Sequence, residues 1–233
     1  MPATDVRRNI VEIINEAREK FALNTVTTLT ADKEATLMLR LLNDVIDEVS
    51  DYGDWKEMIR EVVVTASSSV FDYSVETSAL VKNLHEIAFD TNTSPMWLET
   101  LDNILRLNRN PGTGEPRQWC VIGVDSNANP KLRVYPTPGS NQNNKTFKIT
   151  YYQKPRLYTT TDVSATPEFP AKMLIAGLVA RKSLEESGGT PTQQYAAYQA
   201  SFQNMLRDAF NRFNGDSGSD CLFRPAYNKL RRK

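Results

Sequence analysis

Eight consecutive apolar residues, Met173 to Ala180, sit between Lys172 and Arg181 and constrain this chain more than any other feature. The run is far short of the ~20 residues needed to cross a bilayer, so no membrane partner is expected and the chain reads as soluble. Met173-Leu174-Ile175-Ala176-Gly177-Leu178-Val179-Ala180 is apolar all round a helix, not along one stripe. A helix over 171–187 must therefore be covered on most sides, which makes it the centre of a core. The rest of the chain has to supply the cover.

Two flanking regions carry helical periodicity. Residues 192–213 repeat Tyr195, Tyr198, Phe202, Met205, Leu206, Ala209, Phe210 and Phe213, an aromatic stripe that reads as core packing, not as a stacking platform. Residues 4–22 take Thr4 as N-cap with Asp5 in the first turn, then place Val6, Ile10, Ile13, Ile14, Ala17 and Phe21 at three- and four-residue steps. A second helix is expected from about Asp32 to Tyr52, with Ala35, Met38, Leu41, Leu42, Val45, Ile46, Val49 and Tyr52 on one side and Gly53 as its end.

The middle of the chain changes period. Val62-Val63-Val64, the alternating stretch from Phe71 to Val75, and Ile87-Ala88-Phe89 read as strands, and Ser94-Pro95-Met96-Trp97-Leu98 as the opening of a short helix. Three further strands, Gln118–Val124, Leu132–Tyr135 and Thr146–Tyr152, are separated by turn-rich segments and predict a small β meander. In the last of them Phe147, Ile149 and Tyr151 alternate with Lys148 and Thr150, the pattern of a half-buried antiparallel strand. The expected fold class is α+β: an amphipathic helical bundle built from the N- and C-terminal helices, an inserted small antiparallel β domain, and an extended C-terminal tail. The boundaries are 1–57 for the N-terminal helices, 58–155 for the β-rich insert with its short helix, 156–214 for the C-terminal helices and 215–233 for a flexible basic tail. The link Thr159 to Pro170 is polar and reads as unordered on its own.

Composition limits the chemistry. Lys plus Arg is 28 and Asp plus Glu is 28, so no global basic field draws this chain to DNA or to an anionic membrane. His85 is the only histidine, which removes His-based triads and multi-histidine metal sites. It reads as a structural residue at a strand edge. Gly112-Thr113-Gly114-Glu115-Pro116 lacks the Gly-Lys-Ser/Thr ending of a phosphate loop and reads as a turn. Glu185 and Glu186, before Gly188-Gly189, read as helix-end residues and not as an acid/base dyad. Cys120 and Cys221 lie too far apart in character to suggest a structural disulfide, which points to a reducing compartment, and the first twenty residues lack the apolar middle of a secretory signal. No enzyme activity, cofactor or metal is expected. The densest acidic run, Asp44, Asp47, Glu48 and Asp51, falls at i, i+3, i+4 and i+7 on one helical face. Carboxylates on a regular helix point in parallel and do not converge on one ion, so this face reads as an electrostatic feature.

The last ten residues, Arg224 to Lys233, carry five positive charges and no acid. Several phrases in this order resemble the head-to-tail adaptor (connector, or tail tubular) proteins of tailed bacteriophages. They are the early helix from Leu37 to Trp55, Gly114-Glu115-Pro116-Arg117-Gln118-Trp119 before a strand, Leu132-Arg133-Val134-Tyr135-Pro136-Thr137-Pro138, Phe147 to Pro155, and Pro167-Glu168-Phe169-Pro170 entering the apolar helix. The resemblance implies a structural protein of the virion, assembled in the host cytoplasm. It implies a homo-oligomeric ring, dodecameric in the family, docked under the portal protein, extending the DNA channel and offering a platform to a tail or nozzle protein. Under that reading Arg224, Pro225, Tyr227, Lys229, Leu230, Arg231, Arg232 and Lys233 form a portal-binding tail, and Asp44, Asp47, Glu48 and Asp51 line the channel, where genomic DNA passes without sequence-specific binding. The alternative is a nucleic-acid-binding module that uses the basic tail, since five cations can meet several phosphates.

Overall fold

The computed structural model describes residues 8–77, 80–90, 92, 94–107, 109 and 112–214. The architecture is α+β, and the chain divides into a helical unit, Met1–Glu57 with Leu157–Lys233, and a β unit, Met58–Arg156.

In the helical unit α1 spans Ile10–Glu19, α2 Lys33–Tyr52, α4 Ala171–Glu186 and α5 Gln193–Asn214, with α3 lying in the β unit. The expectation that α1 begins at Thr4 is corrected: the N-cap is Asn9. Its side chain accepts from the Glu12 N–H at 2.8 Å, while the Glu12 carboxylate accepts from the Asn9 N–H at 2.9 Å. This reciprocal capping box satisfies two orphan donors at once, which a lone threonine does not. Thr4, Asp5 and Val6 lie outside the described residues. Asp32 caps α2 by accepting from the Ala35 N–H at 2.6 Å.

Helix α4 is buried on most of its circumference and packs against α1, α2 and α5. Gly177 makes the approach possible: a Cβ there would come within 2.6 Å of Val45 Cγ1 on α2 and 2.9 Å of Phe202 Cε2 on α5. Gly53 after α2 serves a similar purpose, since a Cβ would meet the Phe210 ring at 2.4 Å. The link ahead of α4 is not unordered. Tyr158 and Phe169 are buried, the Asn43 carboxamide donates to Tyr158 O at 2.8 Å and accepts from Tyr158 N at 2.9 Å, and the Ile10 N–H donates to Ala165 O. Its polar composition hid the fact that long-range partners take up its backbone groups.

The β unit consists of two main sheets around one core. Strands β1 (Ile59–Thr65), β9 (Thr146–Gln153) and β3 (Val81–Phe89) form an antiparallel sheet in the order β1-β9-β3. Strands β2 (Asp72–Ser74), β7 (Pro130–Tyr135), β6 (Gln118–Val124) and β4 (Trp97–Leu98) form the second, in the order β2-β7-β6-β4. A further pair joins β5 (Thr113–Gly114) to β8 (Thr137–Pro138) in parallel. Ile87, Phe89, Phe147 and Ile149 from the first sheet and Tyr73, Trp119, Leu132 and Val134 from the second form a single buried cluster. Both sheets are thus apolar on their inner faces, as sandwich packing requires.

Three expectations are corrected here. The last three strands are not a meander: β6 and β7 pair as a hairpin, but β9 crosses to the other sheet and inserts between β1 and β3. Two alternating strands bury their apolar sides more fully face to face than side by side, and the connection from Thr137 to Lys145 is long enough to cross. Second, Met96-Trp97-Leu98 is extended. The Met96 N–H donates to Ile87 O at 2.7 Å, and Trp97 and Glu99 donate to Arg117 O and Trp119 O at 2.8 Å each. The helix, α3 (Leu101–Leu107), starts later, where the Asn103 N–H donates to Thr100 Oγ1 at 3.3 Å. Third, β4-β6 and β5-β8 are parallel pairs, so the unit is not purely antiparallel.

Candidate interaction surfaces

The acidic face of α2 resolves into two parts. Asp44, Asp47 and Asp51 are exposed, whereas Glu48 is half-buried and turned toward α4 and α5. Its Oε2 accepts from Arg181 Nη2 at 2.6 Å and its Oε1 from Gln203 Nε2 at 3.1 Å. Glu48 lies one residue before the buried Val49, at the border of the apolar stripe, so its carboxylate meets the neighbouring helices before it meets water. Arg181, the charge that closes the apolar run, was the signal in the sequence that one of these acids had a partner.

Sequence reasoning missed two buried cations. Lys182 is 5% exposed, and its Nζ lies 2.7 Å from Glu34 Oε1, 2.9 Å from Glu185 Oε2 and 3.6 Å from Glu186 Oε1. Burial by itself lowers the pKa of an ammonium; the hydrogen bonds to Glu34 and Glu185 outweigh it and hold Lys182 above the ordinary lysine value. Glu185 and Glu186 thus serve a tie between α2 and α4, beyond closing a helix. Arg18, 2% exposed, forks onto Asp32 at 3.1 and 2.8 Å and donates through Nε to Asn24 O at 2.7 Å, joining α1 to the cap of α2.

Arg224, Pro225, Tyr227, Lys229, Leu230, Arg231, Arg232 and Lys233 lie outside the described residues. The chain leading toward them is fixed as far as Asn214, whose side chain donates to Asp54 O at 2.9 Å and accepts from the Lys56 N–H at 3.2 Å. Trp55 packs edge-on against Phe169 and Phe210, with ring centroids 5.2 and 5.3 Å away, and stands 6.2 Å from Phe213. Trp55, itself packed on Phe169, thus meets Phe210 and Phe213 and holds the end of α5 in place.

The residues weighed for chemistry do not converge. His85 is exposed on β3, its ring 5.4 Å from that of Tyr152. Gly112 to Pro116, read as a turn, contributes β5. Cys120 is buried between β7 and the edge of the sheet, and burial pushes its thiol up from the ordinary value. A cleft of about 270 Å³ is lined by Phe89, Pro95, Met96 and Pro116, and at its side Asn92 Nδ2 donates to Glu115 Oε1 at 2.7 Å. Among the described residues, no group of three His, Cys, Asp or Glu side chains is placed to hold a metal ion, and no helix is long and apolar enough to cross a membrane.

The arrangement offers exposed acids on a helix, helices locked together by charge, and a sandwich with apolar edges, which are means of contact. No curated protein matches the chain. A family model described as SU10 adaptor protein matches residues 8–225, a span that runs through α1 to α5, both main sheets and the first two residues of the basic segment. The chain therefore belongs to the SU10 adaptor protein family, a family of phage head-to-tail adaptors.

Proposed function

We propose that this chain is a structural head-to-tail adaptor that assembles as a ring under the portal of a tailed phage, extends the DNA channel and presents a platform to the tail. Family membership gives the coarser part: a structural protein of the virion at the portal–tail junction, meeting portal and tail proteins. The ring and its dodecameric copy number are implied by the resemblance. The observation that carries the reading is that the family match covers 8–225, so that both units belong to the adaptor and neither is an unrelated appendage.

In this reading Arg224 to Lys233 inserts into the portal assembly, with Tyr227 and Leu230 as apolar anchors and the Arg and Lys side chains paired to acidic portal surface. Folding of such a segment on its partner meets its ordering cost at assembly. The exposed Asp44, Asp47 and Asp51 line the channel and repel phosphates so that DNA slides without sticking. Glu48 has a smaller share in that field, because Arg181 neutralises it.

The test mixes purified portal with the full chain and with a chain lacking residues 222–233, followed by size-exclusion chromatography and negative-stain imaging. The full chain is expected to co-elute with portal and add a ring, and the truncated chain to lose co-elution while keeping its helical circular-dichroism signal. Unchanged binding after truncation overturns the tail's role. Salt-sensitive retention of the full chain on DNA without portal favours the nucleic-acid-binding alternative instead.

A further inference from the structure

We propose that copies of this chain join edge to edge through the four-stranded sheet of the β unit, with β4 of one copy meeting β2 of the next. The proposal rests on the ring reading and assigns that ring a subunit contact. The sheet order β2-β7-β6-β4 leaves β2 at one margin and β4 at the other. Both margins are apolar. Trp97 is 74% exposed and Leu98 53% on β4, while Val70 is 40% and Phe71 39% exposed where the chain enters β2. Leu101 and Leu105, one turn apart on α3, extend the first patch. A tryptophan left in water beside leucines is the residue type that carries binding energy in protein contacts.

A second copy in head-to-tail order fits both margins, and strand direction sets its orientation. Strand β7 runs antiparallel to both β2 and β6, and β4 runs parallel to β6, so β2 and β4 point the same way. A neighbour that continues the sheet therefore presents its β2 parallel to β4. Two different margins of one molecule make a heterologous contact, which closes into a ring when the rotation per copy divides a full turn. A two-fold contact of β4 with β4 would stop at two copies and leave the Phe71 margin bare.

The two margins are also prepared for each other. Trp97 and Glu99 donate inward to β6, which turns the peptide groups of Met96 and Leu98 outward; the Met96 N–H is taken by Ile87 O of β3, so on β4 it is Leu98 that faces a neighbour. On β2 the bonds from Val134 N to Phe71 O and from Val75 N to Pro130 O turn those of Asp72 and Ser74 outward. Arg133 forks onto Asp72 at 2.6 and 2.7 Å, and its guanidinium lies 4.9 Å over the Phe71 ring, which fixes that ring as a platform. The strands are three and two residues long, too short to recruit partners by ladder bonds alone, so side chains select the mate.

The experiment uses the full chain with portal and a Cys221→Ser background, in which Cys120 is buried and shielded from reagent. Leu98→Cys with Ser74→Cys, treated with a short bismaleimide, is expected to give a ladder of covalent multimers beyond the dimer, and each single variant none. A dimer from Leu98→Cys alone, or no ladder where imaging shows rings, overturns the proposal. Trp97→Ser is expected to raise the concentration needed for ring formation at least tenfold with an unchanged melting temperature. Rings that form equally well with Trp97→Ser end the edge contact and leave the ring reading standing. A wild-type chain that forms no ring with portal ends both.

Discussion

In the helical unit, charges that begin on one helix end on another: Arg18 of α1 on Asp32 at the head of α2, Lys182 of α4 on Glu34 of α2, and Arg181 of α4 on Glu48 of α2. In the β unit the ion pairs join segments within one sheet or one sheet edge, as with Arg133–Asp72 and Lys145–Asp90. The apolar surface is divided the other way. Among the described residues, ten of the thirteen exposed large hydrophobic side chains lie from Val63 to Val124, and only Tyr52, Leu157 and Met205 belong to the helical unit. One region uses polar groups to specify its own packing. The other keeps apolar side chains in water, where a partner gains by covering them.

Removing core volume from the self-specified region gives the largest expected effect. Phe202 is fully buried on α5 against α4, and Phe202→Ala should cost about 3–5 kcal/mol. A urea titration followed by circular dichroism at 222 nm checks this, because four of the five α-helices among the described residues are in that unit. A loss below 1 kcal/mol would contradict the packing described. Next comes Lys182→Met, which leaves Glu34, Glu185 and Glu186 facing an apolar group. We expect a loss of about 2 kcal/mol, less than for a fully buried pair because the glutamates reach water. The sign of its pH dependence follows from the raised pKa. Lys182 contributes in full below the unfolded lysine value of 10.5, and the contribution is lost as pH rises through the higher folded value. The melting temperatures of wild type and Lys182→Met should therefore converge in strong alkali.

What the sequence made legible follows from the range of the interactions. The helix periods, the start of α2 near Asp32, the α4 core and the strand over Gln118 to Val124 are encoded within a few residues of each other, and the structure has them where periodicity puts them. Partner choice is not local. Trp97-Leu98 is a strand only because Arg117 and Trp119 accept its amide hydrogens, and β9 leaves the hairpin because its apolar side faces Leu132 and Val134. The acids of α2 were legible as a set, but the separation of Glu48 from Asp44, Asp47 and Asp51 needed the position of α4. The portal-binding residues were read from charge and resemblance alone, and the described structure ends before them.

A smaller effect tests how closely α4 must approach its neighbours. Gly177→Ala gains about 1 kcal/mol of helix propensity but drives a methyl into Val45 and Phe202, which costs about 1–3 kcal/mol, so the net change is a loss of about 1 kcal/mol. Phe202→Leu in the same chain removes the clash on the α5 side and leaves the one with Val45. The double variant should be less destabilised than the sum of the two single changes, a coupling that a denaturant cycle reads directly.

The smallest effects return to charge, with one carboxylate from each region. Asp32 is held below the usual aspartate value first by the Arg18 hydrogen bond and then by the Ala35 N–H; Asp125 is held low by the backbone N–H of Asn129 and further bonds from the same turn. Both contribute stability that is present above the unfolded value of 3.8 and lost as pH falls through the lower folded value. Their reach differs. Asp32→Asn keeps a good N-cap residue but leaves the buried Arg18 without its counter-charge, so it should lower the melting temperature at pH 7 and narrow the gap to wild type at pH 2. Asp125→Asn loosens one hairpin turn, where Asn127 and Asn129 donate to its Oδ1 at 2.8 and 2.9 Å, and should leave the melting temperature nearly unchanged at either pH. Equal acid sensitivity in the two variants would mean that charge does not specify packing more in the helical unit than in the β unit, and the contrast between the regions would then rest on apolar surface alone.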